Sequence, residues 1–326
     1  MTGGDIYFYD LNFNLLRILP STRYKSIIAQ QDFCGTGSLD IIFFDSETGD
    51  ILEDNIDNGI LVIWRKFQGI LTSFLRDDDE YRAVGEHLNG IVRRIVSEPY
   101  TVSGTSTISS MIDNGLIYKK AGRPTWFTTT NDTGDTTSYS FVSDNRMQGD
   151  EYVKSVLDLI KGGYNVVADF KQQKYNMHYF KHTENDLVLS KNNLNVSSLS
   201  ITCNNKNVVS GGWWLNKDSD FWNHLPDTYF DNTSTEYKFN ADVTYRDTVL
   251  SATTLTEAKK EFAKLRQKYE ITLTTKNLDY GTDYKIGDIV RLQDRGKTFK
   301  MVINSVKMWE ENGYGEEPTV TKYEEE

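Results

Sequence analysis

The chain has 326 residues and a net charge of −11. One hydrophobic core rarely serves so long a chain, so we expect roughly two to four packed modules. Aromatic residues make up 13% of the sequence, which argues against disorder. A groove that grips nucleic-acid phosphates needs clustered Lys and Arg. Basic pairs such as Arg93 with Arg94 and Lys119 with Lys120 are isolated, so no sequence-specific nucleic-acid binding is predicted.

The N-terminal region predicts a series of short β-strands. The β-rich runs cover residues 6–11, 24–28, 39–44, 60–64 and 68–76. Turn signals separate them, at residues 35–37, 48–50 and 57–59. Several strands with closely spaced turns are typical of an antiparallel barrel or sandwich.

The middle of the chain predicts helices. A first helix is indicated by apolar residues at steps of three and four, and Pro99 ends it. Its stripe consists of Val84, Leu88, Ile91, Val92 and Ile95. A second helix is predicted over 108–117, followed by a polar loop over 128–138.

A third helix is predicted from Asp150. Its apolar stripe consists of Val153, Val156, Leu157 and Ile160. It should end at Gly162 and Gly163, because glycine can adopt the left-handed conformation of a helix C-terminus.

Strand patterns return over residues 166–245 and are followed by one clear helix. Thr254 and Glu257 have the spacing of a capping box, and the apolar stripe continues to Tyr269. Strands are then predicted over 271–275, 289–293 and 299–306, the last two joined by a hairpin turn at 294–296. The acidic segment 315–326 predicts a mobile tail.

These patterns predict an α+β fold that is mainly β. We expect two related antiparallel β-barrel-like modules with flanking helices and a mixed α/β insertion. The expected segments are a first module over 1–97, the insertion over 98–165, a second module over 166–310 with its helix over 254–269, and the acidic tail over 311–326.

The four histidines offer one spacing of chemical interest. His178 and His182 lie four residues apart, as in a helical metal pair, but their neighbours predict a strand, in which that spacing separates them by about 13 Å. His87, His224 and these two are therefore interpreted as ordinary surface histidines. Cys34 and Cys203 lie far apart and outside any CxxC pattern, which predicts two reduced, partly buried thiols.

No nucleophile or cofactor motif is present. The sequence has no GxSxG elbow, P-loop or dinucleotide fingerprint. Acidic residues 77–80 are interpreted as a solvated turn, and residues 45–50 and 131–135 resemble calcium loops only loosely. We therefore predict no catalytic, cofactor or metal residues. The lack of a long apolar run and of a signal sequence predicts no membrane span and no secretion.

The sequence leaves several roles open for one aromatic group. It consists of Trp213, Trp214, Phe221, Trp222 and Tyr229. Core packing or a protein interface is favoured, and a sugar-stacking platform is the alternative.

The order of several motifs resembles siphovirus tail-hub proteins. In the N-terminal half, the resemblance lies in residues 6–10, 24–26, 37–41, 69–71 and 85–95. In the C-terminal half, it lies in residues 189–194, 207–211 and 283–290, the last of which contains Gly287 at a tight turn before a strand.

This resemblance implies a trimeric, non-enzymatic hub at the tail tip of a virion, assembled in the bacterial host cytoplasm. Such a hub would join the sixfold tail to a threefold tip. Its expected partners are other copies of itself, the distal-tail or tail-tube ring protein, the tape measure protein, and tip or receptor-binding proteins. We expect any lysin to be a separate protein. The alternatives are a glycosidase that cleaves cell-wall polysaccharide, since the acids are abundant, or a carbohydrate-binding module of the tail tip.

Overall fold

The computed structural model divides the chain into two units. It describes residues 4–78, 80–97, 99–100, 104–117, 125–143, 145–203, 211–216, 221–225, 247–265, 269–311 and 313–323. One unit comprises residues 1–197 and 274–326, and the other comprises residues 198–273. The boundaries expected from the sequence at 97, 165 and 310 stay predictions.

The N-terminal segment forms seven strands and one helix. The strands are β1 (Ile6–Asp10), β2 (Leu15–Leu19), β3 (Tyr24–Asp32), β4 (Ser38–Phe43), β5 (Ile60–Trp64), β6 (Phe67–Asp77) and β7 (Glu80–His87). Helix α1 (Ser46–Asn55) and a 3-10 turn (Ile56–Asn58) separate β4 from β5. The turn predicted at 48–50 is wrong, because Asp45 accepts a hydrogen bond from the Thr48 amide and starts α1 there.

The middle segment alternates short strands with helices. The strands are β8 (Thr105–Thr107), β9 (Phe127–Asn131), β10 (Ser138–Ser140), β11 (Gly163–Asp169) and β12 (Lys174–Phe180). The helices are α2 (Ile108–Ile112), continued by a π turn (Asp113–Ile117), and α3 (Gly149–Leu157), continued by a 3-10 turn (Asp158–Ile160). The predicted second helix is thus confirmed.

The remaining strands lie in both units. They are β13 (Thr183–Leu189), β14 (Val196–Cys203), β15 (Gly211–Asn216), β16 (Phe221–Leu225), β17 (Asp247–Val249), β18 (Tyr269–Thr275), β19 (Asp288–Asp294), β20 (Lys297–Glu310) and β21 (Tyr314–Lys322). Helix α4 (Leu255–Leu265) follows β17. The predicted capping box is confirmed, since Thr254 and Glu257 exchange hydrogen bonds, but Tyr269 belongs to β18 and not to the helix.

One large sheet runs through the first unit. Its order is β13, β19, β20, β3, β4, β7, β6, β5, β1 and β2, and β21 pairs with β20. The predicted α+β, mainly β class is confirmed. Among the described strands this sheet is open and not a closed barrel, because its terminal strands β13 and β2 do not pair with each other. The pairing of β20 with β3 joins the C-terminal strands to the N-terminal ones.

The main core packs one face of this sheet against the middle segment. Leu61, Ile63 and Ile70 of the sheet contact buried residues of α2, α3, β11 and β12. Strand β5 is buried along its whole length, because both faces of the sheet are covered there. The described helices include none that is both long and apolar enough to cross a bilayer.

The first predicted helix is wrong in its N-terminal part. Val84 lies in β7, and the helix is a 3-10 segment over Leu88–Arg94 that begins after His87. The apolar steps did identify buried residues, because Leu88, Ile91, Val92 and Ile95 are all in the core. Because the 3-10 segment follows β7 directly, the apolar residues of the two elements form one continuous pattern in the sequence.

Two further local predictions differ from the structure. The third helix is confirmed, but its left-handed end is Lys161, at φ 51°, and not a glycine. The polar loop predicted over 128–138 begins as β9, which pairs in parallel with β12. Its threonines are β-branched and fit a strand, although their polarity suggested a loop.

The C-terminal segment contradicts the predicted mobile tail as far as Lys322. Strand β21 pairs with β20 over its length, and Pro318 and Val320 are buried. The backbone hydrogen bonds of a ladder do not depend on side-chain charge, so an acidic segment can still form a strand. Residues 324–326 lie outside the described residues. The hairpin at 294–296 is confirmed, with Arg295 and Gly296 at positive φ.

Candidate assembly surfaces

His87 is the one histidine that the structure places in the core of the described chain, so its interpretation as a surface residue is wrong. Only 2% of it is exposed, and its Nδ1 accepts a hydrogen bond from the Asn89 amide at 3.2 Å. Burial lowers the pKa of His87 to about 3, because desolvation disfavours the charged ring. The ring is therefore neutral and structural.

The structure separates the two histidines with metal-pair spacing. His178 lies in β12, as predicted, and its Nδ1 is 2.7 Å from a carboxylate oxygen of Asp132. His182 follows the strand, stacks on Phe33 at 4.3 Å, and its Nδ1 lies 2.9 Å from the Gly287 carbonyl oxygen. Each ring nitrogen named here already has a partner. Among the described residues, no group of three or more His, Cys, Asp or Glu is placed to hold a metal ion.

The loops that resemble calcium sites use their oxygens locally. Asp45 accepts hydrogen bonds from Thr48, which hold the pKa of that carboxyl below its usual range. Asp135 accepts bonds from Lys181, Thr137 and Tyr139, and the hydrogen bond from Lys181 is the largest cause that lowers its pKa. These carboxylates stabilise a helix start and a loop.

Cys34 and the described part of the acidic turn have no reactive arrangement. Cys34 is a free, partly buried thiol, as predicted, and burial raises its pKa to about 11. The side chain of Cys203 and residue Asp79 lie outside the described residues. Asp78, in the turn before β7, is exposed and adopts a positive φ of 49°.

The aromatic group divides between the two faces of a small sheet. In the second unit, β15 pairs with β16 and β17. Trp214 is buried against Leu250, Ala252, Ala258 and Phe262, where α4 covers it. Trp213 and Trp222 lie on the opposite face, and Trp222 is 54% exposed. The side chains of Phe221 and His224, together with Tyr229, lie outside the described residues. The core role is confirmed for Trp214.

The first unit contains one pocket of about 520 Å³ beside the turn before β19. Its polar lining includes Lys66, Lys181 and Lys285, and two of these amines are ion-paired, with Asp279 and Asp135. None of the described lining residues is a serine, cysteine or histidine. The lining also contains the carboxylates of Asp132 and Asp288 and the hydroxyl of Thr183. Asp288 accepts hydrogen bonds from the Asn185 side chain and the Lys285 amide, and Asp132 lies 2.7 Å from Nδ1 of His178.

Gly287 closes one side of this pocket at a strained turn. It lies in a turn before the strand, as predicted, and its φ is 93°, in the region that favours glycine. Its amide donates to the Ile303 carbonyl at 2.8 Å, and its carbonyl accepts from the Thr183 amide at 3.3 Å. The turn thus links β20 to the start of β13.

Sequence reasoning missed the buried Asn89. Its amide group donates to the carbonyls of Gly35 and Tyr164, and its Oδ1 accepts from the Val166 amide at 2.8 Å. The side chain therefore ties the turn after β3 to β11. In the sequence Asn89 lies between the stripe residues Leu88 and Ile91 but off the apolar stripe itself, where a polar residue is usually exposed.

The main path of the large sheet ends at β13 and β2, and β21, which pairs with β20, is a third terminal strand. At one end, β13 carries acidic side chains that pair with Lys300 and Arg291 of the neighbouring strands. At the other end, β2 exposes Leu15 and Ile18. Within the described residues, β2 pairs only with β1. An open sheet edge presents unpaired backbone groups that can bind another strand.

Comparison with known proteins gives matches in structure alone. No protein-family model matches the sequence, and no curated protein does. A tail protein from Neisseria meningitidis aligns with a TM-score of 0.55 and 12% identity over 98% of this chain and 97% of that chain. A 43 kDa prophage tail protein from Shewanella oneidensis aligns with a TM-score of 0.57 and 13% identity, over the same shares.

A third solved structure leads to the same result. A prophage tail protein from Listeria monocytogenes aligns with a TM-score of 0.57 and 11% identity over 97% of this chain and 94% of that chain. At such low identity a likeness establishes the fold. The chain therefore has the fold of phage tail proteins, and the resemblance read from its sequence is confirmed at that level.

Proposed function

We propose that this protein is the structural hub subunit at the tip of a phage or phage-like tail. The observation that carries the proposal is the length of the fold match, since 98% of the chain aligns with nearly the whole of a tail protein. A tail is a stack of rings, so a subunit with this fold needs surfaces for its own copies and for neighbours above and below.

The proposed assembly is a homotrimer that adapts a sixfold tail to a threefold tip. Cyclic rings are closed by heterologous contacts, in which two different surfaces of each copy meet. The proposed neighbours are the distal-tail or tail-tube ring protein, the tape measure protein, and tip or receptor-binding proteins.

The proposed role is structural and not enzymatic. The described histidines and carboxylates support this, because their partners are backbone groups or ion pairs that stabilise the fold. In the pocket beside the turn before β19, Lys66 and Lys181 are ion-paired, and Asp288 accepts hydrogen bonds from Asn185 and the Lys285 amide, so these groups also have partners within the fold. An assay with purified cell wall tests the glycosidase alternative, and steady release of reducing ends would refute the structural role.

The ring itself is tested by measuring mass in solution. Each copy carries a net charge of −11, and salt screens the repulsion between copies beyond roughly 8 Å at physiological ionic strength. We expect light scattering to show more trimer as salt rises, and a stable trimer when the adjacent tail-tube ring protein is added. A dimer or tetramer under every condition would refute the hub.

A further inference from the structure

The strands at the two ends of the sheet's main path, β13 and β2, differ in how they are protected. Natural sheets guard an edge strand with charged side chains, because unpaired backbone groups otherwise recruit other strands. Strand β13 follows this rule: Glu184 pairs with Lys300 at 3.0 Å, and Asp186 lies 3.5 Å from Arg291. Strand β2 does not, because Leu15 is 51% exposed and Ile18 is 39% exposed. Of these two edges, β2 is the more apolar, although it also carries Arg17.

A bulge in β2 brings its two exposed apolar residues to one face. The register passes from Arg17 opposite Phe8 directly to Leu15 opposite Tyr9, so Leu16 has no partner. Without the bulge, Leu15 and Ile18 would point to opposite faces. With it, Leu15 lies beside Tyr9, and Ile18 lies opposite Tyr7 on the same face.

Aromatic rings extend this face beyond the edge. Phe170 is 39% exposed and contacts Tyr9 at 4.8 Å and Phe13 at 5.2 Å between ring centroids. The loop that carries Phe13 is held by Asp10, which accepts bonds from the amides of Asn12 and Asn14. The apolar surface beside β2 is therefore fixed in place before any partner binds.

The opposite face of β2 is acidic. Helix α1 packs there, and Arg17 of β2 pairs with Asp45 at 3.3 Å and with Glu47 at 2.8 Å. Residues 45–58 contain six acids and no Lys or Arg. Glu47 is 70% exposed and Asp50 66% exposed. Arg76 of β6 lies 3.7 Å from Asp50 and 3.9 Å from Glu53, so Arg17 and Arg76 offset part of this charge and the face stays net negative. A strand added at β2 would lie between an apolar face and an acidic face.

We propose that the β2 edge binds an extended segment of a partner protein whose residues alternate between apolar and basic. Successive side chains of a strand point to opposite faces, so the apolar ones would contact Leu15 and Ile18 while the basic ones face α1. Backbone hydrogen bonds to β2 supply affinity, and the alternation supplies specificity. A second copy of this chain fits less well, because its guarded edge carries Glu184 and Asp186, which repel the acids of α1.

The probe is a capped eight-residue peptide that alternates Val and Lys. Two control peptides are a block of four Val followed by four Lys, which keeps the composition, and a peptide that alternates Val and Glu. We expect the alternating Val-Lys peptide to bind at least about tenfold more tightly than either control in fluorescence anisotropy. It should also protect the amides of β2 from hydrogen exchange, and its affinity should fall as salt is raised.

Matched variants locate the binding at the edge. Ile18→Lys should weaken the Val-Lys peptide at least about tenfold, because it adds a charge of the same sign on the apolar face. Val142→Lys adds the same charge at a position that is 60% exposed and outside the sheet, and it should bind as the parent does. Both changes are at exposed positions, and an unchanged melting temperature confirms that each variant is folded.

Three results would overturn the proposal. Equal binding of the block peptide would mean general attraction to an acidic protein. Binding that Ile18→Lys leaves unchanged would place the peptide elsewhere. Protection of β2 by raising the concentration of the protein alone would make a second copy the occupant. The peptide measurements use the free chain and do not depend on the trimer. Their outcome therefore does not decide the hub proposal, which is tested by mass in solution.

Discussion

Replacing Gly287 with alanine tests whether the turn before β19 is as constrained as its geometry indicates. At φ 93° any L-residue is strained, and the left-handed region costs a residue with a Cβ about 1–2 kcal/mol. A Cβ at this position would also lie 2.6 Å from Cε2 of Phe33 and 3.2 Å from Cε2 of Phe180. Overpacking of this kind costs about 1–3 kcal/mol.

The surroundings leave the turn little room to relax. Phe33 stacks on His182 and meets Phe180 edge to face, with ring centroids 5.6 Å apart. The Gly287 backbone is bonded on both sides, to the carbonyl of Ile303 and the amide of Thr183. The two costs should therefore add, and we expect Gly287→Ala to lower the free energy of unfolding by about 2–5 kcal/mol.

Gly281→Ala is the matched control. Its φ of 85° is close to that of Gly287, but nothing lies within 4 Å of the Cβ that alanine would add. It should cost only the backbone strain, about 1–2 kcal/mol. Urea unfolding measures both variants, and the slope with denaturant should stay that of the parent. If the two variants lose the same stability within about 0.5 kcal/mol, the contact with Phe33 does not constrain the turn and the reasoning fails.

Two further predictions concern the stability of the fold at low pH and the protection of the C-terminal strand. His87 is neutral in the fold, with its pKa lowered to about 3, whereas the unfolded chain takes up a proton below about 6.5. The contribution of His87 to the free energy of unfolding is therefore fully present above about pH 6.5 and is lost as the pH falls, by about 2 kcal/mol at pH 5.0. Urea unfolding at several pH values should show this loss, and His87→Gln should remove this part of the pH dependence. Limited proteolysis should leave residues 314–322 intact, because β21 is paired with β20, and rapid loss of this segment from the folded protein would contradict the pairing.

Features set by a few neighbouring residues were the most predictable from the sequence. The capping box of Thr254 and Glu257, the hairpin at 294–296 and the turn at Gly287 are all present. Each depends on backbone and side-chain groups that lie within a few residues of one another. Such features can therefore be predicted from a short stretch of sequence.

Features set by distant pairing were not predictable. The acidic composition of 315–326 suggested a mobile tail, but β21 gains its order from β20. The pairing of β20 with β3 joins residues that are far apart in the chain, and it turns two expected modules into one sheet. Asn89 is similar, because its burial makes sense only when the carbonyls of Gly35 and Tyr164 are beside it.

The candidate assembly surfaces were the hardest part to foresee, and the reason is geometric. Leu15 and Ile18 are three residues apart, a spacing that puts them on opposite faces of a regular strand. The bulge at Leu16 puts them on one face, and it appears only in the register with β1. The solved tail proteins share the fold at 11–13% identity, so the fold alone cannot specify a partner. A partner has to be recognised by local features of this chain, and a bulged apolar edge beside an acidic helix is such a feature.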